Sequence, residues 1–139
     1  FNAKEIDDCF SYFGDADPEI LFITYGRIAA ECEKAAAMLK ADSLKAAVLI
    51  LTRIKPLDLK VIFEYSKTAK KIIFVEESIL SGGLGEHLAA CFAQEGFNKE
   101  FIIKAVPNRF IEHATPAQQL TLCGLDSDSL YKAAVKNEG

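Results

Sequence analysis

The chain has 139 residues, 50% hydrophobic and 26% charged, which suits one globular domain with a real core and excludes disordered, collagen-like and low-complexity chains. Sixteen Lys and Arg against twenty Asp and Glu leave a net charge of −4, which argues against nucleic acid as the main partner, since phosphate binding needs a basic face. No apolar run approaches the roughly 20 residues of a membrane span, and Phe1-Asn2-Ala3-Lys4-Glu5 lacks the basic start and apolar block of a signal peptide.

The chain begins at Phe1 rather than Met and reads as a piece of something longer. Cys9-Phe10-Ser11-Tyr12-Phe13 suggests a short strand at a sheet edge. Residues 1–16 as a whole read as a linker and edge strand leading from a missing upstream domain, with residues 17–139 forming the domain proper. Phe1, Phe10, Tyr12 and Phe13 make this stretch aromatic for a free tail, and it is expected to be partly mobile or packed on a neighbour.

The turn Asp15-Ala16-Asp17-Pro18 leads into the strand Ile20–Tyr25, apolar on both faces as a central parallel strand should be. A helix follows from Arg27 to Lys40, with Ile28, Cys32, Ala35 and Leu39 drawing one apolar stripe. Ala46–Leu51 is the second buried strand, and a short helix from about Leu59 to Lys67 follows it. Lys71–Glu76 is the third strand, rich in β-branched and aromatic residues. After the glycine loop Ser81-Gly82-Gly83-Leu84-Gly85, a helix carries Leu84, Leu88, Cys91 and Phe92 on one face and stops at Gly96. Glu100–Val106 is the fourth strand of the series, ended by Pro107. Thr115-Pro116-Ala117-Gln118 is a capping box for a short helix that Gly124 would close. Asp126 suits the N-cap of a last helix through Leu130, Ala134 and Val135. This alternation requires a mostly parallel sheet covered on both faces. The expected fold is therefore α/β, a three-layer α/β/α sandwich.

Ligands in such sheets sit at the carboxyl ends of the strands. The Gly82–Gly85 loop lies there, between strand and helix, where backbone amides can cradle phosphate. It fits no nucleotide fingerprint, because Leu88 stands where the third glycine would be and Glu86 would repel an anion. A tight turn or close backbone packing is the competing reading. Glu76 and Glu77 end a buried strand, as solvated or helix-capping carboxylates or as functional or interface ones. Their side chains point to opposite faces. His87 borders the core stripe four residues before Cys91 and reads as a packed helix histidine; a Cys91–His87 dyad would have nothing to orient the imidazole. His113 precedes the Thr115 cap, in a structural role in that turn or in an interface or catalytic one. Lys67, Lys70 and Lys71 read as a solvated helix end. Cys9, Cys32, Cys91 and Cys123 show no metal spacing and read as buried, reduced thiols of a cytoplasmic protein. No catalytic residue and no cofactor or metal ligand is identified.

Three segments taken together resemble the C-terminal domain of the transketolase-like, thiamine-diphosphate-dependent enzymes: Pro18–Gly26, Arg53–Asp58, and Val75-Glu76-Glu77 followed by Gly82-Gly83-Leu84-Gly85. The tail Pro107–Pro116 with Gly124-Leu125-Asp126 is most similar to the 1-deoxy-D-xylulose-5-phosphate synthase branch, despite Asn108 and Ala114 where that branch often has Asp and Gly. The resemblance implies a five-stranded, mostly parallel sheet with one antiparallel edge strand. It implies a parent transferase joining pyruvate to glyceraldehyde 3-phosphate with loss of CO2, with thiamine diphosphate and magnesium held by upstream domains. The cofactor would do the chemistry, and this domain would brace the rest and help form a homodimer. It leaves Glu76, Glu77, Gly82, Gly83, Gly85 and His113 as interface candidates. The alternatives are a free-standing small-ligand or anion-binding α/β module, and the same domain from a transketolase or a 2-oxo acid dehydrogenase β-subunit.

Overall fold

Strands that are apolar on both sides have one stable place, the middle of a sheet covered on both faces. A computed structural model, describing residues 4–6, 10–52, 58–76, 84–97, 99–105, 115, 118 and 124–136, shows this arrangement. The strands are β1 (Lys4–Ile6), β2 (Phe10–Gly14), β3 (Ile20–Tyr25), β4 (Ala46–Leu51), β5 (Lys71–Glu76) and β6 (Glu100–Ala105). The helices are α1 (Ala29–Ala41), entered through a 3-10 turn at Gly26–Ile28, α2 (Leu59–Tyr65), α3 (Leu84–Gln94) and α4 (Ser127–Val135). The sheet order is β1-β2-β4-β3-β5-β6. Strands β4, β3, β5 and β6 are mutually parallel. Every residue of β3 and of β5 is buried.

The expected mixed sheet with one reversed strand is present: β2 pairs antiparallel with β4 and with β1, so β2 alone runs against the rest. It does not stand at the edge, however. β1 takes that place, with Lys4 opposite Phe13, and makes the sheet six-stranded.

Two apolar clusters flank the sheet. Helices α2 and α3 cover one face, with Ile62, Leu84, Leu88 and Phe92 packed on Leu21, Ile23, Leu49, Ile72 and Phe74. Helices α1 and α4 cover the other, with Cys32, Leu39, Leu125 and Leu130 packed on Phe22, Val48, Ile73 and Val75. The division follows from handedness. Leaving β3 for β4 and leaving β5 for β6 are steps in opposite directions, and right-handed crossovers then put α1 and α3 on opposite faces.

The aromatic N-terminal segment is not a free tail. Phe10 and Tyr12 are buried, and their rings lie 5.2 Å and 4.4 Å from that of Tyr65 in α2. Phe13 is half-buried, and Phe1 and Cys9 lie outside the described residues. Gly14 closes β2 with a φ of +121°, and a Cβ there would stand 2.6 Å from the Ala46 carbonyl. Glycine is therefore needed where the chain crosses β4 this closely. These contacts correct the expectation of mobility for Phe10 and Tyr12. Alternating burial along β2 places them on the face that α2 covers.

The helix termini bring two more corrections. Lys71 is not solvated: it is buried, and its Nζ donates to the carbonyls of Lys136 at 2.7 Å, Ala134 at 2.9 Å and Ala133 at 3.3 Å. Glu100 Oε1 lies 3.7 Å away. A cation thus sits on the orphan carbonyls at the carboxyl end of α4, where the helix dipole favours it. Lys67 is exposed, as expected, and exposed Lys70 pairs loosely with Glu19 at 4.0 Å. Asp126 occupies the N-cap of α4 but accepts from Ser129 Oγ rather than from a helix amide. The Ser127 amide donates instead to Glu31 Oε1 of α1 at 3.0 Å. The capping box forms as read: Gln118 N donates to Thr115 Oγ1 at 3.1 Å and Thr115 N to Gln118 Oε1 at 2.9 Å.

Replacing Lys71 with Met removes the cation and its hydrogen bonds to three carbonyls. Urea unfolding should show a loss of about 2–3 kcal/mol, while Lys70→Met should stay within about 0.5 kcal/mol. Equal effects at the two positions would show that the buried ammonium contributes nothing special.

Candidate functional site

The parallel part of the sheet reverses its winding between β3 and β5, the place where open α/β sheets bind ligands beyond the carboxyl ends of their strands. On the face under α3 that place holds Tyr25 from β3, Phe74 and Glu76 from β5, Ile103 from β6, and Gly85 at the start of α3. Tyr25 is buried, with its ring 6.3 Å from that of Phe74.

Glu76 is 1% exposed, and its Oε2 accepts the amide of Gly85 at 2.9 Å. A carboxylate at the amino end of an 11-residue helix satisfies an orphan donor and meets the positive end of the dipole. Gly85 has a steric reason to be glycine. A Cβ there would lie 2.5 Å from Glu76 Oε2, 3.0 Å from Ile103 Cγ2 and 3.1 Å from Phe74 Cδ1. α3 can seat on the β5–β6 surface and reach Glu76 only without that side chain.

Of the expected interface residues, the structure brings Glu76 and Gly85 together. Glu77, Gly82, Gly83 and His113 lie outside the described residues. The Glu76–Gly85 bond ties together the two ends of the 77–83 segment that carries three of them. It also bears on phosphate binding: one amide that the glycine loop would offer an anion is already occupied by a buried carboxylate of the same charge.

The remaining candidates separate. His87 is exposed rather than packed, with Nε2 3.8 Å from the Sγ of half-buried Cys91. Cys32 is buried as expected, and burial pushes its thiol up to about 12, against a smaller opposing effect of a hydrogen bond with Thr24. Cys123 lies outside the described residues. No group of three His, Cys, Asp or Glu side chains that could hold a metal occurs among the described residues. No helix among them is long and apolar enough to cross a membrane.

Sequence reasoning did not foresee a cleft of about 500 Å³ between the end of β2 and the end of α2, lined by residues including Tyr12, Asp17, Glu64, Tyr65 and Lys67. It lies at the opposite end of the sheet from Glu76, and nothing local in these two distant segments signals that they meet.

The sequence matches the family described as "Transketolase, C-terminal domain" over residues 14–130. The chain belongs to that family. Its relatives make the comparison more particular. It is 32% identical over 121 residues to the 1-deoxy-D-xylulose-5-phosphate synthase of Bacteroides fragilis, covering 86% of this chain and 19% of that protein. It is 31% identical over 99 residues to the synthase of Burkholderia pseudomallei, covering 71% and 16%. The chain therefore spans about a fifth of the length of the curated relatives it matches. Among solved structures, it superposes on a split gene transketolase in an inactive β4 tetramer with a TM-score of 0.77, at 24% identity, over 90% of this chain and 40% of that one. A 2-oxoglutarate:ferredoxin oxidoreductase from Magnetococcus marinus gives a TM-score of 0.55 at 20% identity, over 69% and 16%. Both structural matches speak for the fold.

Two outcomes follow. Gly85→Ala should lower stability by about 1–3 kcal/mol through overpacking against β5 and β6, and Glu76→Gln, which keeps an acceptor, should cost less than Glu76→Leu; chemical denaturation of the three variants checks the order. Cys32 carries a pH signature, because its folded pKa lies above the unfolded value of 9.0. The protonated thiol contributes its full stability below pH 9, and that contribution is lost as pH rises from 9 to about 12. The unfolding free energy of wild type relative to Cys32→Ala should accordingly fall across that window.

Proposed function

We propose that this chain is the C-terminal brace of a thiamine-diphosphate-dependent transferase of the 1-deoxy-D-xylulose-5-phosphate synthase kind. Its parent reaction would be the condensation of pyruvate with glyceraldehyde 3-phosphate, with release of CO2. The observation that carries the reading is Glu76. At the position where an α/β sheet offers its chemistry, the one fully buried carboxylate among the described residues is used internally, holding α3 to β5. The synthase relatives support the choice of parent.

In this reading thiamine diphosphate and magnesium bind the rest of the polypeptide, and this chain's own residues do no bond-making. Residues 1–16 bring the chain in from the upstream domains, with Phe10–Gly14 built into the sheet, and residues 17–139 form the domain. The 77–83 segment carries Glu77, Gly82 and Gly83 between the bonded pair Glu76 and Gly85. Together with His113 it forms the contact with the other domains. The parent is a cytoplasmic homodimer.

Calorimetry of the 139-residue chain with thiamine diphosphate and Mg²⁺ should show no saturable binding, and pyruvate should release no CO2. Fused behind the upstream domains of a synthase relative, the chain should restore synthesis of the five-carbon sugar phosphate. Decarboxylation by the chain alone would overturn the proposal.

A further inference from the structure

We infer that α3 carries, at the exposed margin of its apolar stripe, a two-ligand site for a soft or borderline divalent cation, with zinc as the type, formed by Cys91 and His87. The two residues are four apart on a described helix, so their side chains stand on one face. Their donor atoms, Cys91 Sγ and His87 Nε2, lie 3.8 Å apart. A tetrahedral zinc bound by sulfur at about 2.3 Å and by nitrogen at about 2.0–2.1 Å needs its two donors roughly 3.5 Å apart. The pair is therefore within a few tenths of an ångström of the required spacing before any metal arrives. A small rotation about either side chain closes the difference.

Access and ligand chemistry fit the same use. His87 is exposed and Cys91 half-buried, so hydrated ions reach both donors, whereas the buried thiol of Cys32 is held protonated and shielded. Thiolate with imidazole selects zinc-like and copper-like ions over magnesium and calcium, which take oxygen ligands. On binding, the thiol proton passes to solvent, a sulfur–metal and a nitrogen–metal bond form, and four of the six waters of the hydrated ion leave as it becomes four-coordinate. The other two positions keep water, so affinity falls short of that of a closed four-ligand site. The inference does not depend on the proposed parent reaction, since the pair takes no part in the Glu76–Gly85 contact.

The test is a titration of the reduced chain with Co²⁺, following the thiolate-to-cobalt charge-transfer band, and then displacement by Zn²⁺. One saturable equivalent is expected, displaced by zinc and not by Mg²⁺. Cys91→Ser should abolish the band, and His87→Ala should weaken binding at least tenfold. Cys9→Ser and Cys123→Ser should leave it unchanged, with far-UV circular dichroism confirming that each variant keeps its helices. Zinc should also raise the melting temperature of wild type and not of His87→Ala, because two ligands one turn apart clamp the helix. A band that survives Cys91→Ser, or no saturable band at all, overturns the assignment.

Discussion

Strand β5 holds the molecule together by carrying a buried charge at each end. Lys71 opens it and Glu76 closes it. Five residues apart, they point to opposite faces. Lys71 reaches the carboxyl end of α4 on one side of the sheet, and Glu76 reaches the amino end of α3 on the other. Each charge meets the helix end of opposite dipole sign. A single strand thereby fixes one helix on each face, and the apolar interior between its two ends has all its polar work done at the margins.

The carboxylate at the end of β5 is thereby committed to holding a helix. A carboxylate at the carboxyl end of a central strand could serve as an acid or a base if a substrate reached it. Here it is buried under α3, and Gly85 exists so that the helix can approach closely enough to take it. The same bond fixes the two ends of the segment between β5 and α3.

The strands were legible because their residues tolerate few alternatives. Ile20–Tyr25, Ala46–Leu51 and Lys71–Glu76 are apolar on both sides and bounded by Gly, Pro or charge, and each was read with its observed limits. Thr115 and Gln118 were legible for another reason: a capping box is a bargain between residues three apart, and both halves are visible in one short window. Of the candidate site, the Glu76 capping role and the close-packing glycine were among the readings available. Lys71 was misread because its acceptors lie 62 to 65 residues away. A lysine that follows two exposed ones gives no local sign of its burial. The Ser127 amide likewise found a carboxylate 96 residues distant, although Asp126 stood next to it.

Hydropathy, turn residues and helix stripes thus determined the layers and the parallel winding, since these depend on which residues can leave water within a few positions of one another. Tertiary structure alone decided which charges are buried, which helix end each one serves, and that the antiparallel strand lies inside the edge. Those outcomes depend on distances between segments far apart in the chain, and a buried ion is tolerable only where such a distant partner meets it.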